Sequence, residues 1–175
     1  FSPAEFEQRT ATVQSLMHDA RLDAVLVTTE AEIRYFTGFH SQFFESPTRP
    51  WFVIVPAEGK PIAVIPTIGE SGMAATWIDD IHTWPSPRPA DDGISALAST
   101  ISNVPTRHGR LGMPLGPESL LRMPAGDAKK LADAIPHEVV DCAEMLLRQR
   151  FVKSPAEIEK IRRVCQITSD AFEAL

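Results

Sequence analysis

Apolar runs of strand length alternate with amphipathic segments along the chain, and this alternation predicts an α/β fold. Three of the runs, at 24–28, 51–55 and 61–65, are rich in Val and Ile and contain few polar positions. Strands that are apolar on both faces lie inside a sheet that helices cover from both sides. We therefore expect a mixed β-sheet, mostly central, with helices on both faces.

The same pattern, together with Gly, Pro and capping residues, places the remaining elements. The predicted strands are 24–28, 51–55, 61–65, 80–84, 110–113 and 137–141. The predicted helices begin after Ser2, at Glu30, at Thr67, after Asp91 or Asp92, at Pro117, at Asp127, at Ala143 and at Pro155. They end at Arg21, Phe36, Trp77, Ile101, Arg122, Ala134, Phe151 and the last residue. The connection at 56–60 contains Pro and Gly and predicts a β-hairpin.

Two helix starts carry the sequence of a capping box, in which a serine precedes a proline and is followed three residues later by a glutamate. They are Ser2 with Glu5 and Ser154 with Glu157. We expect each serine and glutamate to satisfy one another's free backbone N–H groups. Gly38 should end the short second helix, because its backbone can take the left-handed conformation found at helix ends.

The terminal helix has an apolar stripe whose members recur at steps of three and four. They are Ile158, Ile161, Cys165, Thr168, Phe172 and Leu175. Such a stripe packs either on the preceding residues or on a segment outside this sequence, and we expect the second. We accordingly divide the chain into a domain at 1–152 and a linker helix at 153–175.

Composition and charge argue against several classes of protein. The net charge is −6 and the basic residues are dispersed among acidic ones, so we expect no nucleic-acid partner. The apolar runs are too short to span a bilayer and the chain does not open with a leader pattern, so we expect no membrane association and a cytoplasmic location. The two cysteines, Cys142 and Cys165, are too few for a disulfide framework and are expected to be reduced thiols.

No catalytic constellation is visible in the sequence. The five histidines are scattered over separate elements, without the short spacing that aims two rings at one metal ion. The paired acids at 79–80 and 91–92 point apart on any regular element, and we interpret them as caps and solvated turns. The sequence also lacks a Gly-x-Ser-x-Gly turn and a glycine-rich phosphate loop. We therefore expect no catalytic residue, metal ion or cofactor in this chain.

The segment at 40–51 is the strongest candidate for a binding surface. It carries Phe43, Phe44, Arg49 and Trp51 and joins a helix end to a buried strand, so it must cross the surface at a sheet edge. Aromatic rings and a guanidinium group can hold a small ligand by stacking, cation–π contact and paired hydrogen bonds. Alternatively, the rings cover the core and the arginine is solvated. The residues by themselves leave both interpretations open.

Three stretches give the chain a resemblance to a known family. They are DAVLVTT at 23–29, IRYFTGF at 33–39 and RQRFVKSPAEIEKIRR at 148–163. In this order they resemble the amino-terminal domain of creatinase and of Xaa-Pro peptidases such as aminopeptidase P and prolidase. The resemblance covers nearly the whole chain and implies a ribonuclease H-like fold. In that family the third stretch introduces the catalytic "pita-bread" domain, which we expect to be absent here.

The resemblance also implies a role for the candidate loop. Family members form homodimers in which this loop reaches into the active site of the other subunit, where a phenylalanine and an arginine contact substrate. Phe44 matches that phenylalanine by its distance from Gly38, and Arg49 matches the arginine if the loop carries a short insertion. Trp51 lies close by and is included among the implied substrate contacts. The family's metal ligands, for a divalent ion such as Mn, Co, Zn or Fe, belong to the catalytic domain.

These implications lead to three hypotheses. We first expect a domain that is inactive by itself and supplies dimer contacts and part of the substrate wall, in trans, to a metal-dependent Xaa-Pro dipeptidase or aminopeptidase. Creatinase and dimethylsulfoniopropionate lyases use the fold that the resemblance implies, and an aromatic loop suits a cationic substrate. The alternative is therefore that the full-length protein is a creatinase or such a lyase. The second hypothesis is an independent small-molecule binding module, and the third is a scaffold that only oligomerises.

Overall fold

A computed structural model describes residues 1–46 and 49–174, which contain a six-stranded sheet. Its strands are β1 (Ala24–Val27), β2 (Phe52–Pro56), β3 (Ile62–Pro66), β4 (Asp80–Trp84), β5 (Arg110–Met113) and β6 (Glu138–Asp141). Their order across the sheet is β4-β3-β2-β1-β5-β6. β2 runs antiparallel to both of its neighbours, β1 and β3, and the other adjacent pairs are parallel.

Helices precede, connect and follow the strands. They are α1 (Pro3–Ala20), α2 (Glu30–Thr37), α3 (Glu70–Ala74), α4 (Ile94–Ser102), α5 (Ala125–Ala134), α6 (Ala143–Phe151) and α7 (Pro155–Glu173). Short 3₁₀ turns are formed by Gln42–Glu45 and Thr67–Gly69.

The sheet separates two apolar cores. One lies between the sheet and helices α1, α2, α3 and α6, and it includes Met17, Phe36 and Leu146. The other lies between the sheet and helices α4 and α5, and it includes Leu97 and Leu131. Successive side chains of β1 and β2 alternate between the two cores, as the two-residue period of a strand requires. This arrangement confirms the predicted mixed α/β sheet with helices on both faces.

Most of the predicted elements are confirmed. All six predicted strands are present, and the predicted hairpin forms between β2 and β3, which lie inside the sheet. Helix α6 has the predicted bounds. Gly38 ends α2 with a φ of 78°, and its N–H donates to the Arg34 carbonyl oxygen at 2.9 Å, as predicted for a left-handed helix end.

One predicted helix is absent and another is shorter than predicted. Residues 117–122 form a turn followed by irregular backbone, where the Arg122 N–H donates to Thr28 Oγ1 and the Ser119 hydroxyl donates to a nearby carbonyl oxygen. The helix predicted at 67–77 ends at Ala74. The Thr76 hydroxyl donates to the Met73 carbonyl oxygen there and competes with continuation of the helix.

Two predicted helix caps are also wrong. Ser2 makes no side-chain capping bond: the Glu5 N–H donates to the Ser2 carbonyl oxygen at 3.1 Å, and the Glu5 carboxylate accepts from Ser154. Helix α4 is capped by Gly93 and not by either aspartate. The Asp92 carboxylate accepts from the indole N–H of Trp84, while Asp91 reaches past the cap to the N–H of Ser95.

Helix α7 begins as predicted and, after a partly covered first turn, is exposed to its end in the described chain. The Ser154 N–H donates to Glu157 Oε2 at 2.9 Å and the Glu157 N–H donates to Ser154 Oγ at 3.1 Å, which completes the capping box. None of the 19 residues of α7 is buried, so the described part of its apolar stripe faces outward; Leu175 lies outside the described residues. The division of the chain at 152 and 153 stays a prediction.

None of the helices in the described part of the chain combines the length and apolar character that a membrane span requires.

Candidate functional site

The candidate loop lies at the edge of the sheet where β1, β5 and β6 end. These three strands are parallel, so their carboxyl ends meet at one edge. The antiparallel strand β2 begins at the same edge, where Val53 lies opposite Val27. The chain between α2 and β2 therefore crosses this edge. In open α/β sheets the crevice at the carboxyl ends of the strands is a common ligand site.

Three aromatic rings anchor the loop to the core. The ring centroid of Trp51 lies 5.3 Å from that of Phe39 and 5.3 Å from that of Phe44. Trp51 has no exposed surface, and Phe44 is 7% exposed. Gly69 leaves room for the indole, since a Cβ at this position would lie 2.3 Å from Trp51 Cζ3. The cluster thus fixes the loop on the core at Phe39, at Phe44 and at Trp51.

Arg122 holds the outer part of the loop. Its guanidinium group donates hydrogen bonds to the backbone carbonyl oxygens of Phe44, Ser46 and Arg49. Its Cζ atom lies 5.5 Å from the centre of the Phe44 ring. Its backbone N–H donates to Thr28 Oγ1 at 2.8 Å, at the end of β1. We call Arg122 and its three carbonyl partners the arginine clamp, which joins the loop to the sheet edge.

The charges around the clamp are opposed in sign. Burial lowers the pKa of the Arg122 guanidinium and the nearby Glu30 carboxylate acts in the opposite direction, but an arginine stays protonated at neutral pH. Glu30 Oε1 lies 3.0 Å from His40 Nδ1, near the start of the loop. The sheet edge therefore presents a cation held under the loop and a carboxylate beside it.

A groove of about 580 Å³ runs beside the clamp. It is lined by Phe44, Glu45, Pro50 and Leu120–Pro124. Arg49 is half-buried next to it, with its guanidinium carbon 5.9 Å from the centre of the Phe43 ring. A mostly apolar wall with a few charged groups is typical of surfaces that receive a small molecule or a short peptide.

The predicted site residues lie in different environments. Trp51 is a core residue, Phe44 is almost buried, and Arg49 is partly exposed. The covering role that the sequence left open as an alternative therefore describes the rings of Trp51 and Phe44 within this domain. The substrate contact implied for Phe44, Arg49 and Trp51 stays a prediction. Sequence reasoning missed Arg122, whose only signal is a single cation in the otherwise apolar stretch Leu120–Pro124.

The described residues provide no ligand set for a metal ion. Within 1–46 and 49–174, no group of three or more His, Cys, Asp and Glu side chains could hold one. Cys142 is buried, and its pKa is raised to about 12 by desolvation and, next, by the nearby Asp141 carboxylate. It is therefore a protonated core thiol and a poor metal ligand at neutral pH. The family resemblance assigns its divalent metal ion to the catalytic domain, and the described residues here offer no ligand set for one.

Comparison with known proteins identifies the family of this fold. The creatinase/prolidase N-terminal domain family matches residues 9–152, which is most of the chain. The chain belongs to this family. In this creatinase/prolidase N-terminal domain, the arginine clamp lies at the carboxyl edge of the sheet, where Arg122, between β5 and α5, holds the loop between α2 and β2.

Its relatives include longer proteins. The domain is 27% identical to "Uncharacterized hydrolase/peptidase y4tM" of Sinorhizobium fredii, covering 96% of this chain and 43% of that protein. It is 24% identical to "Probable dipeptidase PepE" of Mycobacterium tuberculosis, covering 93% and 40%. A solved prolidase from Thermococcus sibiricus matches with a TM-score of 0.76 at 19% identity, covering 97% and 43%. The chain thus spans about two fifths of the length of the curated relatives it matches.

Proposed function

We propose that this domain is the noncatalytic N-terminal domain of a metal-dependent Xaa-Pro dipeptidase or aminopeptidase, where it provides dimer contacts and part of the substrate wall in trans. The observation that carries the proposal is the clamped aromatic loop beside a groove at the carboxyl edge of the sheet. The arginine clamp fixes the backbone of this loop at Phe44, Ser46 and Arg49. A wall that contacts substrate gains from such preorganisation, because a fixed loop loses little entropy on binding.

The relatives support the class of parent reaction. They include proteins named as a hydrolase/peptidase, a dipeptidase and a prolidase. The metal ligands and the groups that activate water would lie outside this domain, in the part of the longer relatives that it does not span. Its own residues would then bind and orient substrate: Arg49 would offer a guanidinium group to a carboxylate, and Phe44 would offer an apolar edge.

The isolated domain should have no turnover of its own. The assay is hydrolysis of Xaa-Pro dipeptides, hydrolysis of creatine and cleavage of dimethylsulfoniopropionate, each with and without added Mn²⁺, Co²⁺, Zn²⁺ and Fe²⁺. Turnover clearly above that of the double variant Phe44→Leu with Arg49→Ala would overturn the proposal. Saturable binding of one of these substrates by calorimetry, without turnover, would instead support an independent binding module.

The substrate wall is tested in a protein that carries this domain in front of a catalytic domain. We expect Arg49→Ala to lower kcat/KM for Xaa-Pro dipeptides by roughly tenfold, which corresponds to about 1.4 kcal/mol of transition-state binding. Arg107→Ala is the matched control, because its side chain is 70% exposed and lies in a loop next to Asp23, away from the clamp. Equal kinetics for both variants would show that the domain is a scaffold only.

The action in trans is tested by dilution. If the loop of one subunit completes the site of the other, specific activity should fall once the protein is diluted below the dissociation constant of the dimer, as measured by sedimentation. Constant specific activity across that transition would show that the loop does not act between subunits. Turnover of creatine or of dimethylsulfoniopropionate in the same assay, in place of Xaa-Pro dipeptides, would identify the full-length protein as one of the alternatives.

A further inference from the structure

A charged side chain, Arg9, lies buried between α1, α2 and the start of α7, far from the arginine clamp in the sequence. Its side chain is 6% exposed. Its carbonyl oxygen accepts a hydrogen bond of 2.6 Å from Gln149 Nε2, so α6 also packs on this turn of α1. A buried arginine has to be compensated by partners, because an unpaired buried charge is strongly destabilising.

The partners of Arg9 come from two other elements as well as its own helix. Nη1 donates to the Tyr35 carbonyl oxygen of α2 at 2.9 Å. Nη2 donates to Glu157 Oε1 of α7 at 3.1 Å and lies 3.3 Å from Glu5 Oε1 of α1. The guanidinium carbon also lies 4.4 Å from the centre of the Tyr35 ring, a cation–π contact. One planar group therefore links three helices.

The two carboxylates that face Arg9 also hold Ser154, the N-cap residue of α7. Ser154 Oγ donates to Glu5 Oε1 at 2.7 Å, and the Ser154 N–H donates to Glu157 Oε2 at 2.9 Å. The capping box of α7 is thus part of the same network as Arg9. We call Glu5, Arg9, Ser154 and Glu157 the helix joint.

The joint brings together two of the stretches that distinguish the sequence. Tyr35 belongs to IRYFTGF, and Ser154 and Glu157 belong to the stretch that begins at Arg148. These stretches are more than a hundred residues apart, and Arg9 contacts both. Beyond this first turn, α7 has no buried residue within the described chain. Its direction therefore depends on the joint, on the covalent connection from α6 and on Lys160, whose Nζ lies 4.9 Å from the centre of the Phe1 ring.

We propose that Arg9 is a positioning residue that fixes the direction in which α7 leaves the domain, by tying the capping box of α7 to α1 and α2. A capping box alone starts a helix but does not aim it, because both of its hydrogen bonds lie within one turn. Glu157 serves both tasks, with one oxygen on the Ser154 N–H and the other on Arg9. In the longer relatives the chain continues past this point, so the joint would set the orientation of the downstream segment. The geometric inference itself does not rest on the proposed function.

The native cysteines make the direction of α7 measurable. Cys165 is exposed on α7, whereas Cys142 is buried with its pKa raised to about 12, so a thiol-directed spin label will react at Cys165. A second label is placed by Lys129→Cys, an exposed position on α5. Cys165 is 11 residues from Ser154, so a pivot of about 20° at the joint would move it by about 6 Å at a helical rise of about 1.5 Å per residue.

Electron–electron distance measurement then tests the joint in the full chain. We expect a narrow distribution of the label-to-label distance in the doubly labelled protein that carries no other substitution. In Arg9→Met the width of this distribution should at least double. Arg9→Lys should restore it only in part, because one ammonium group cannot reproduce the planar double contact to Tyr35 and Glu157. Arg148→Met is the control, since that arginine is exposed on α6, and its distribution should match the parent.

A second variant keeps the test valid if Arg9→Met fails to fold. Glu157→Gln retains a side-chain oxygen for the Ser154 N–H but faces Arg9 with an uncharged amide, and Glu157 lies outside the core. We expect helical content by circular dichroism to be unchanged and the distance distribution to broaden. Distributions in Glu157→Gln and in any folded Arg9 variant that match the parent would overturn the proposal. Because no substrate is involved, this outcome is independent of whether the domain contributes a substrate wall.

Discussion

Replacing Asp23 with asparagine should strongly destabilise the domain, although the two side chains have nearly the same shape. The Asp23 carboxylate is 2% exposed and fills a turn of backbone N–H groups just before β5. Oδ1 accepts from Arg107 and His108 at 2.9 Å each, and Oδ2 accepts from Gly109 at 2.6 Å and from Arg110 at 3.2 Å. The carboxylate thus satisfies all four of these N–H groups.

The magnitude of the loss depends on the bonds that asparagine cannot make. Its amide oxygen can keep the bonds on one side, but its NH₂ group faces the N–H groups of Gly109 and Arg110, donor against donor. Hydrogen bonds to a charged group contribute about 1.5–3 kcal/mol each, so the loss of two, reduced by local relaxation, predicts about 3 kcal/mol. With a urea dependence of about 2 kcal/mol/M, the unfolding midpoint should fall by about 1.5 M.

The same carboxylate gives the prediction a pH signature. Burial works to raise the pKa of Asp23 and the four backbone N–H groups work to lower it, with a net pKa below the ordinary value of 3.8. A folded-state pKa below the unfolded one stabilises the protein above about pH 4, and this stabilisation is lost as the pH falls through the folded-state pKa. The difference between Asp23→Asn and the parent should therefore be constant near neutral pH and shrink below about pH 4.

The assay is urea unfolding followed by tryptophan fluorescence, since Trp51 and Trp84 are buried in opposite cores. Asp19→Asn is the matched control, because its side chain is 81% exposed on the last turn of α1, and its effect should stay within about 0.5 kcal/mol. A loss of less than about 1 kcal/mol in Asp23→Asn near neutral pH, or a loss that persists unchanged in acid, would refute the reasoning.

Three further predictions concern the cores, the thiols and the loop. Gly69→Ala should destabilise the domain by about 2–3 kcal/mol in the same urea assay, because its Cβ would overlap the indole of the core tryptophan; Gly126→Ala, in open space, is the control. A maleimide at about pH 8 should modify Cys165 within minutes and leave Cys142 intact by mass spectrometry until the protein unfolds. Arg122→Met should raise the hydrogen-exchange rates of the loop amides about tenfold without lowering global stability equally; unchanged exchange would contradict the clamp.

The strands could be predicted because local sequence and tertiary environment agree. The run Phe52–Pro56 is apolar at every position, and its strand is buried along its whole length between two neighbours. The hairpin after it is indicated by Pro56 and Gly59 within a short connection. In such segments no tertiary contact opposes the local preference, so the pattern is sufficient.

The failures lie where a distant residue overrides the local preference. The reciprocal half of the capping box at Ser2 does not form, because the Glu5 carboxylate accepts a hydrogen bond from Ser154, near the other end of the chain. Residues 117–122 do not form a helix, because Arg122 is drawn to Thr28 and to the carbonyl oxygens of the loop.

The candidate site was only partly predictable for the same reason. A loop carrying Phe44 and Arg49 is visible in the sequence, but the residue that holds it lies more than seventy positions away. The burial of Trp51 depends on the missing side chain of Gly69. Neither relation has a signature in local spacing, since both are contacts between different layers of the fold.

The central position of β1 has a consequence for synthesis of the chain on the ribosome. β2 pairs with one edge of β1 soon after both strands have emerged. The other edge of β1 stays unpaired until β5, which begins at Arg110, has been synthesised. During that interval a nascent chain carries an open, apolar strand edge of the kind that recruits other chains. Translational pausing between β4 and β5 should therefore increase aggregation of the newborn polypeptide, whereas a pause after β6 should have little effect.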